Sequence, residues 1–180
     1  MIISVFQVFF YLKGAKYILK KQLSAIVLTM AIPFAAACGN DDAAQSHEDH
    51  THTAENGDLQ EMTASADTLP SFLDDKDDNM RAIYLAAAKH ADVLDQMPCY
   101  CGCGESAGHK SNLNCFIAER SGDEITWDDH GTRCGVCLEI AATTAVMTEE
   151  GKSPEEIRTL IDNTYSEGYA EPTPTPLPGV

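Results

Sequence analysis

Residues 77–103 read DDNMRAIYLAAAKHADVLDQMPCYCGC and join a predicted helix to a dense run of cysteines. The carboxylates of Asp77 and Asp78 can cap this helix by accepting hydrogen bonds from its first N–H groups. Pro98 ends it, because proline lacks an N–H and disfavours helical backbone at the preceding residue. The stretch therefore predicts an ordered scaffold for the motif at residues 98–103. The apolar residues between these ends step by three or four positions and mark one helical face: Met80, Tyr84, Ala87, Ala91 and Leu94.

Two more helices are predicted after the cysteines. An apolar face begins at Cys134, and its pattern ends at Gly151, a residue type common at helix C-termini. The sequence Ser153-Pro154-Glu155-Glu156 then combines an N-cap serine, a proline at the first helical position and a capping-box glutamate. The segment Ile125–Trp127 is either a brief strand or an apolar plug, so no sheet of three or more strands is expected. The three predicted helices lie at residues 78–96, 134–150 and 154–166.

These elements predict a mostly α fold, a small single helical domain with Cys/His-rich loops at residues 70–168. Residues 38–69 are acidic and poor in apolar side chains, so they are predicted to form a disordered tether. The histidines at residues 47–52 of this tether either chelate a divalent cation weakly or belong to a polar spacer. Residues 169–180 are rich in proline and are predicted to be an extended, disordered tail.

Residues 1–37 have the layout of an export signal. Four lysines precede the apolar run Leu23–Ala37, which ends in small residues directly before Cys38. This run is shorter than the about 20 apolar residues that a retained membrane span needs. Ala35-Ala36-Ala37-Cys38 resembles a bacterial lipobox, in which the cysteine is lipidated and becomes the first residue of the mature protein. We therefore predict a lipoprotein signal peptide at residues 1–37 and an anchor at Cys38 on the outer face of the bacterial cytoplasmic membrane.

The mature chain would be strongly acidic. All 28 Asp and Glu residues but only 8 of the 12 Lys and Arg residues follow Cys38, which leaves a formal charge of −20. This charge argues against nucleic acid or an anionic membrane surface as a partner. The same charge would concentrate cations around the protein.

The other six cysteines lie within residues 99–137, and two histidines lie among them. The alternate cysteines at 99, 101 and 103 cannot be bridged to one another, because residues i and i+2 do not reach disulfide geometry. A tight turn containing Gly102 can instead direct several thiolates at one point. The predicted metal ligands are Cys99, Cys101, Cys103, His109, Cys115, His130, Cys134 and Cys137. Thiolate-rich ligation selects copper(I), zinc or iron–sulfur clusters, and the predicted external location favours copper(I) first and zinc second.

Two other uses of these cysteines stay open. An oxidising exterior and an even count permit a disulfide framework. Cys134-Gly135-Val136-Cys137 at the start of a helix also resembles the C-x-x-C of thiol–disulfide exchange proteins, without the proline typical of them or a surrounding βαβ pattern. The sequence has no Gly-rich phosphate loop, G-x-S-x-G elbow or H-E-x-x-H pair, so no hydrolytic or group-transfer enzyme is predicted.

Residues 98–103, together with Gly108–Ser111, Cys115-Phe116, His130 and the C-x-x-C pair, resemble the bacterial family of PCYCGC-motif (lipo)proteins. The resemblance covers about residues 78–168, and the family is described by its motif and not by an activity. It implies a secreted lipoprotein of a Gram-positive-type bacterium whose cysteines act as a unit. We expect an extracytoplasmic, lipid-anchored metal-binding protein that sequesters copper(I) or delivers it to an exported metalloprotein. A zinc- or disulfide-stapled binding module is the alternative.

Overall fold

The computed structural model describes residues 50–179. The predicted signal peptide, the predicted lipidation site Cys38 and the first part of the predicted tether lie outside these residues. Within them, the strands are β1 (Thr51–Thr53), β2 (Leu59–Thr63), β3 (Ile117–Ser121) and β4 (Glu124–Asp128). The helices are α1 (Asp78–Lys89), α2 (Ala91–Leu94), α3 (Cys103–Ser106), α4 (Gly135–Glu149) and α5 (Pro154–Thr164). Short 3-10 turns cover Ser71–Leu73, Asn112–Cys115 and Asp129–Arg133.

The four strands form one antiparallel sheet in the order β1-β2-β4-β3, so the prediction of a mostly α fold is wrong. The fold is mixed α/β. Glu61 in β2 and Ile117 in β3 are the only buried residues of their strands, so neither strand shows the alternating apolar pattern by which strands are recognised. β2 joins the sheet through backbone pairing with β4, where Glu61 lies opposite Trp127. β4 contains Ile125–Trp127, for which the brief-strand interpretation is right.

The predicted tether is folded from residue 51 onward, so its predicted disorder is wrong for this part of the chain. The Glu61 carboxylate is buried and accepts hydrogen bonds from the Ser71 backbone N–H at 2.8 Å and from the Ser71 hydroxyl at 2.6 Å. Asp58 is also buried, at 3% exposure. Acidic groups can be buried where protein donors replace water, and an acidic composition alone does not reveal such donors. The folded domain therefore begins before Pro70.

The predicted starts of α1 and α5 are confirmed, and α4 begins at Gly135, one residue after its predicted start. The Asp77 side chain caps α1 by accepting from the backbone N–H groups of Asn79 and Met80. Ser153 and Glu156 form the capping box of α5. The single helix predicted over residues 78–96 is interrupted, because His90 has non-helical backbone between α1 and α2.

An aromatic centre connects α1 to the sheet. The ring of Tyr84 in α1 lies 5.0 Å from that of Phe116 and 6.1 Å from that of Trp127, between centroids. All three side chains are fully buried, and the Tyr84 hydroxyl donates to the Asp128 carbonyl at 2.9 Å. The sole tryptophan is therefore a core residue, and the end of β4 is held against α1, which also packs on α4.

The turn after β4 approaches the Asn112–Cys115 turn so closely that only glycine fits at position 131. A Cβ there would lie 2.7 Å from the Phe116 ring and 2.8 Å from the Cys115 carbonyl oxygen. We expect Gly131→Ala to lower the free energy of unfolding by about 1–3 kcal/mol, the usual cost of overpacking, in urea denaturation. Gly135→Ala is the matched control, since its Cβ meets nothing within 4 Å. Equal losses in both variants would contradict this account of the turn.

The end of the chain is extended, as predicted, but it is packed on the domain, so its predicted disorder is wrong. Thr173 and Thr175 are buried. The Ala170 N–H donates to the Tyr100 carbonyl and the Thr173 N–H to the Cys99 carbonyl, both at 3.1 Å. We call residues 170–176 the C-terminal strap, because they cross the cysteine motif. No helix within residues 50–179 is long and apolar enough to cross a membrane.

Candidate metal centre

Three chain segments bring the six cysteines together. In the first, Gly102 has a left-handed backbone (φ +84), which glycine adopts without strain, and this conformation turns the chain between Cys101 and Cys103. In the second, Cys115 ends a 3-10 turn of residues 112–115. In the third, Cys134 precedes α4 and Cys137 lies in its first turn.

Five of the sulfur atoms lie in contact. Cys99 Sγ is 2.9 Å from Cys103 Sγ and 3.1 Å from Cys101 Sγ. Cys137 Sγ lies 3.2 Å from Cys115 Sγ, 3.4 Å from Cys99 Sγ and 3.6 Å from Cys101 Sγ. A tetrahedral zinc ion, with Zn–S bonds of about 2.3 Å, holds its sulfur ligands about 3.8 Å apart. The sulfurs of Cys99, Cys101, Cys103 and Cys137 all lie within 4.8 Å of one another, so these four thiols can hold a metal ion.

The centre is mostly shielded from solvent. The four cysteines at positions 99, 103, 115 and 137 are at most 1% exposed, whereas Cys101 and Cys134 are half-buried. All six are free thiols. Hydrogen bonding by Cys103 and the other neighbouring thiols lowers the pKa of Cys101. Because metals bind the thiolate form, Cys101 is suited to be the first ligand that an incoming ion meets.

Both predicted histidines border this group of sulfurs. His109 Nδ1 lies 3.4 Å from Cys115 Sγ, and the His109 and His130 rings are 4.5 Å apart between centroids. Burial lowers the pKa of His109 to about 4, which keeps this imidazole in the neutral form that metals require. Hydrogen bonding to Cys101, with a smaller contribution from Asp58, raises the pKa of His130 to about 9. A metal at His130 must therefore displace a proton.

Two predicted ligands, Cys115 and Cys134, belong to no candidate group within residues 50–179. The Cys115 sulfur contacts Cys137 Sγ at 3.2 Å, whereas Cys134 lies at the edge of the centre. Cys134 is close enough to Cys101 to contribute to lowering the pKa of that thiol. Of the tether histidines, His50 and His52 are exposed and belong to no candidate group, and His47 lies outside the described residues.

Asp58 is a residue of the centre that the sequence analysis missed. Its carboxylate accepts a hydrogen bond from His130 Nδ1 at 3.0 Å and pairs with Arg133. It is placed by a tight turn in which Gly57 has φ +87 and the Asn56 side chain accepts from the Asp58 N–H at 3.1 Å. The Asn-Gly dipeptide is a strong hairpin signal and could have indicated that this segment folds.

The C-terminal strap was also missed as part of the centre. The Thr173 hydroxyl oxygen accepts from the buried Cys99 N–H at 2.9 Å. The far end of the strap is held by Arg158, which pairs with Asp162 at 2.8 Å and donates to the Pro176 carbonyl at 3.3 Å. Asp162 in turn accepts from the Tyr100 hydroxyl at 2.6 Å. The strap thus fixes the backbone of the cysteine motif from outside.

We expect Thr173→Val to lower the free energy of unfolding by about 1–3 kcal/mol in urea denaturation, because it leaves the buried Cys99 N–H without an acceptor. Thr159→Val is the matched control. Thr159 is exposed on α5 and bonds only the preceding turn of its own helix, so its replacement should cost less than about 0.5 kcal/mol. A cost at Thr173 no larger than at Thr159 would show that the strap does not support the motif.

A family model described as "Protein of unknown function with PCYCGC motif" matches residues 26–178. The match takes in the cysteine cluster, Asp58 and the strap. No curated protein and no solved structure gives a significant match to the chain.

Proposed function

The chain belongs to the PCYCGC-motif family of proteins of unknown function, and from that premise we propose that it binds copper(I) through its cysteine cluster outside the cytoplasm. The observation that carries the proposal is the mutual approach, within 4.8 Å, of the sulfurs of Cys99, Cys101, Cys103 and Cys137. Thiolate ligands select soft ions. A set of four thiolates with no nitrogen or oxygen ligand therefore favours copper(I).

The exposure of the ligands supports a carrier over a purely structural site. Structural metal sites are closed and fully protein-ligated. Here Cys101 is half-buried while the other three members of the four-thiol group are not accessible. An ion at this centre has one ligand that a thiolate from another protein can approach. Sequestration and delivery to an exported metalloprotein both use such a ligand.

Zinc is the second candidate, because four cysteines around one point are a common structural zinc set. Titration of the anaerobically purified chain from residue 38 with copper(I) and zinc, each against a chelator, separates the two. The Cys38→Ser change removes the seventh thiol, so that only the six cysteines of the cluster remain. We expect at least one equivalent of copper(I), which displaces zinc and is retained less well after Cys101→Ser. One equivalent of zinc with no uptake of copper(I) would make the protein a zinc-stapled binding module.

Thiol–disulfide exchange is a further candidate, favoured by the half-buried Cys134 one helical turn before Cys137 at the start of α4. A C-x-x-C pair at the start of a helix is the arrangement found in thiol–disulfide exchange proteins. Insulin reduction by the parent chain and by Cys134→Ser tests it. Activity that disappears in the variant would establish an exchange enzyme, and we expect no activity in either protein.

We also propose that the protein is anchored through a lipid on Cys38, on the outer face of the bacterial cytoplasmic membrane. The support is the order of basic residues, apolar run and small residues before that cysteine. Mass spectrometry of the membrane-extracted protein should show an N-terminal lipidated cysteine. An intact Met1 or an N-terminus elsewhere would refute the anchor.

A further inference from the structure

We propose that the centre holds two metal ions, and that the second is a borderline divalent ion of the zinc class. Its ligands are Cys103, Cys115, His109 and His130, and the sulfur of Cys103 is shared with the four-thiol group. This inference rests on the proposed function, because it adds a second position to the same centre.

Two of the three candidate ligand groups within residues 50–179 overlap at one atom. One ligand atom each from Cys103, His109 and His130 lie within 4.8 Å of one another, and Cys103 also belongs to the four-thiol group. Cys115 extends the second group, since its sulfur lies 3.4 Å from His109 Nδ1 and 3.9 Å from Cys103 Sγ. A single four-coordinate ion cannot use all seven side chains. Two ions bridged by Cys103 Sγ give each ion four ligands.

The two positions differ in chemistry. The first offers four thiolates and suits a soft ion, whereas the second offers two thiolates and two imidazoles. Two cysteines and two histidines form a common zinc set. The ligand types therefore assign copper(I) to the all-sulfur position and a zinc-class ion to the mixed position.

Asp58 provides an observation that points to the second ion independently of the sulfurs. Its Oδ2 atom lies 3.0 Å from His130 Nδ1 and 3.8 Å from His109 Nε2. The hydrogen bond to Asp58 leaves His130 Nε2 as the ligand atom of that ring. The ligand atom of His109 is Nδ1, which faces Cys115. A carboxylate behind a metal-binding imidazole is the usual device that fixes its tautomer and orientation. The buried carboxylate thus orients His130 by a hydrogen bond, whereas its approach to His109 is longer than a hydrogen bond.

A pocket gives the second position its own access. It has a volume of about 240 Å³ and opens beside His109, with a mostly polar lining that includes Asn56, Gln60, Lys110, Asn114 and Asp128. A hydrated divalent ion in this pocket would meet His109, the one proposed ligand that lines it. It need not pass the half-buried Cys101 of the all-sulfur position.

The test is native mass spectrometry of the chain from residue 38, carrying Cys38→Ser, after anaerobic reconstitution with Zn²⁺ alone. We expect two zinc ions per chain, because zinc accepts both ligand sets. His109→Ala should retain one. The matched control His52→Ala removes an exposed histidine outside the centre and should retain two. Asp58→Asn should weaken the second zinc by about 10- to 100-fold and leave the first unchanged, a split that a general loss of stability would not produce.

Circular dichroism checks that the His109→Ala variant folds. If it does not fold, His130→Gln repeats the test at a half-buried position. If the parent chain binds only one zinc ion but still binds copper(I), the second metal position is refuted and the proposed function is not. A chain that takes neither metal would overturn both. Two zinc ions retained in both histidine variants would also overturn the second position.

Discussion

Replacing Cys137 with serine is expected to abolish tight metal binding. The Cys137 side chain is fully buried, and its sulfur lies within 3.6 Å of the sulfurs of Cys99, Cys101 and Cys115. Loss of a partner outside the ligand shell already weakens metal binding by 10- to 100-fold, so loss of this ligand should exceed about 100-fold. Competition with a chelator for copper(I) and for zinc measures the change in affinity.

The matched control is Cys134→Ser, three residues earlier in the same C-x-x-C pair. Cys134 is half-buried and belongs to none of the candidate ligand groups within residues 50–179, so its loss should weaken binding by less than about tenfold. A thiol–disulfide exchange protein would need both Cys134 and Cys137. A metal centre would depend much more on Cys137, because its sulfur belongs to the four-thiol group. Equal effects of the two substitutions on metal affinity would contradict the ligand set proposed here.

A fragment of residues 70–168, the domain predicted from the sequence, is expected to lose cooperative folding. The fragment lacks β1 and β2, and with them the strand that pairs with β4. It also lacks Asp58 behind the imidazoles and the strap across Cys99. Small domains are stable by only about 5–15 kcal/mol, so the loss of half a sheet should remove most of that margin.

The urea unfolding transition of this fragment is compared with that of residues 50–180. Circular dichroism and the fluorescence of Trp127 monitor the unfolding. The longer chain should show one sigmoidal transition and the fragment a gradual change without a midpoint. A fragment with the midpoint of the longer chain would show that residues 50–69 and the strap do not belong to the fold.

The helices were predictable because their signals are local. Asp77 and the Ser153–Glu156 box act within one turn of their own helices, and the apolar spacing identifies the buried faces. The cysteine motif was recognisable for a similar reason, since alternate thiols around Gly102 are suited to metal and not to mutual disulfides.

The sheet was not predictable from the same signals, because β2 carries a buried glutamate where an apolar residue is expected. The Glu61 carboxylate can be buried because the backbone N–H and the hydroxyl of Ser71 donate hydrogen bonds to it. Asp58 lies in the same segment and was not predicted either. Its partners His130 and Arg133 lie more than 70 residues away in sequence. The prolines of the tail indicate an extended backbone, but they do not predict that the tail packs on the domain. That packing depends on the hydrogen bond from the buried Cys99 N–H to the Thr173 hydroxyl.

The most direct measurement for the central claim is elemental analysis of the anaerobically purified chain from residue 38 with Cys38→Ser, paired with a count of its thiols. We expect at least one equivalent of bound soft metal, copper(I) foremost, and six free thiols after the metal is removed. Metal near zero together with no free thiols would contradict it and assign the six cysteines to disulfides.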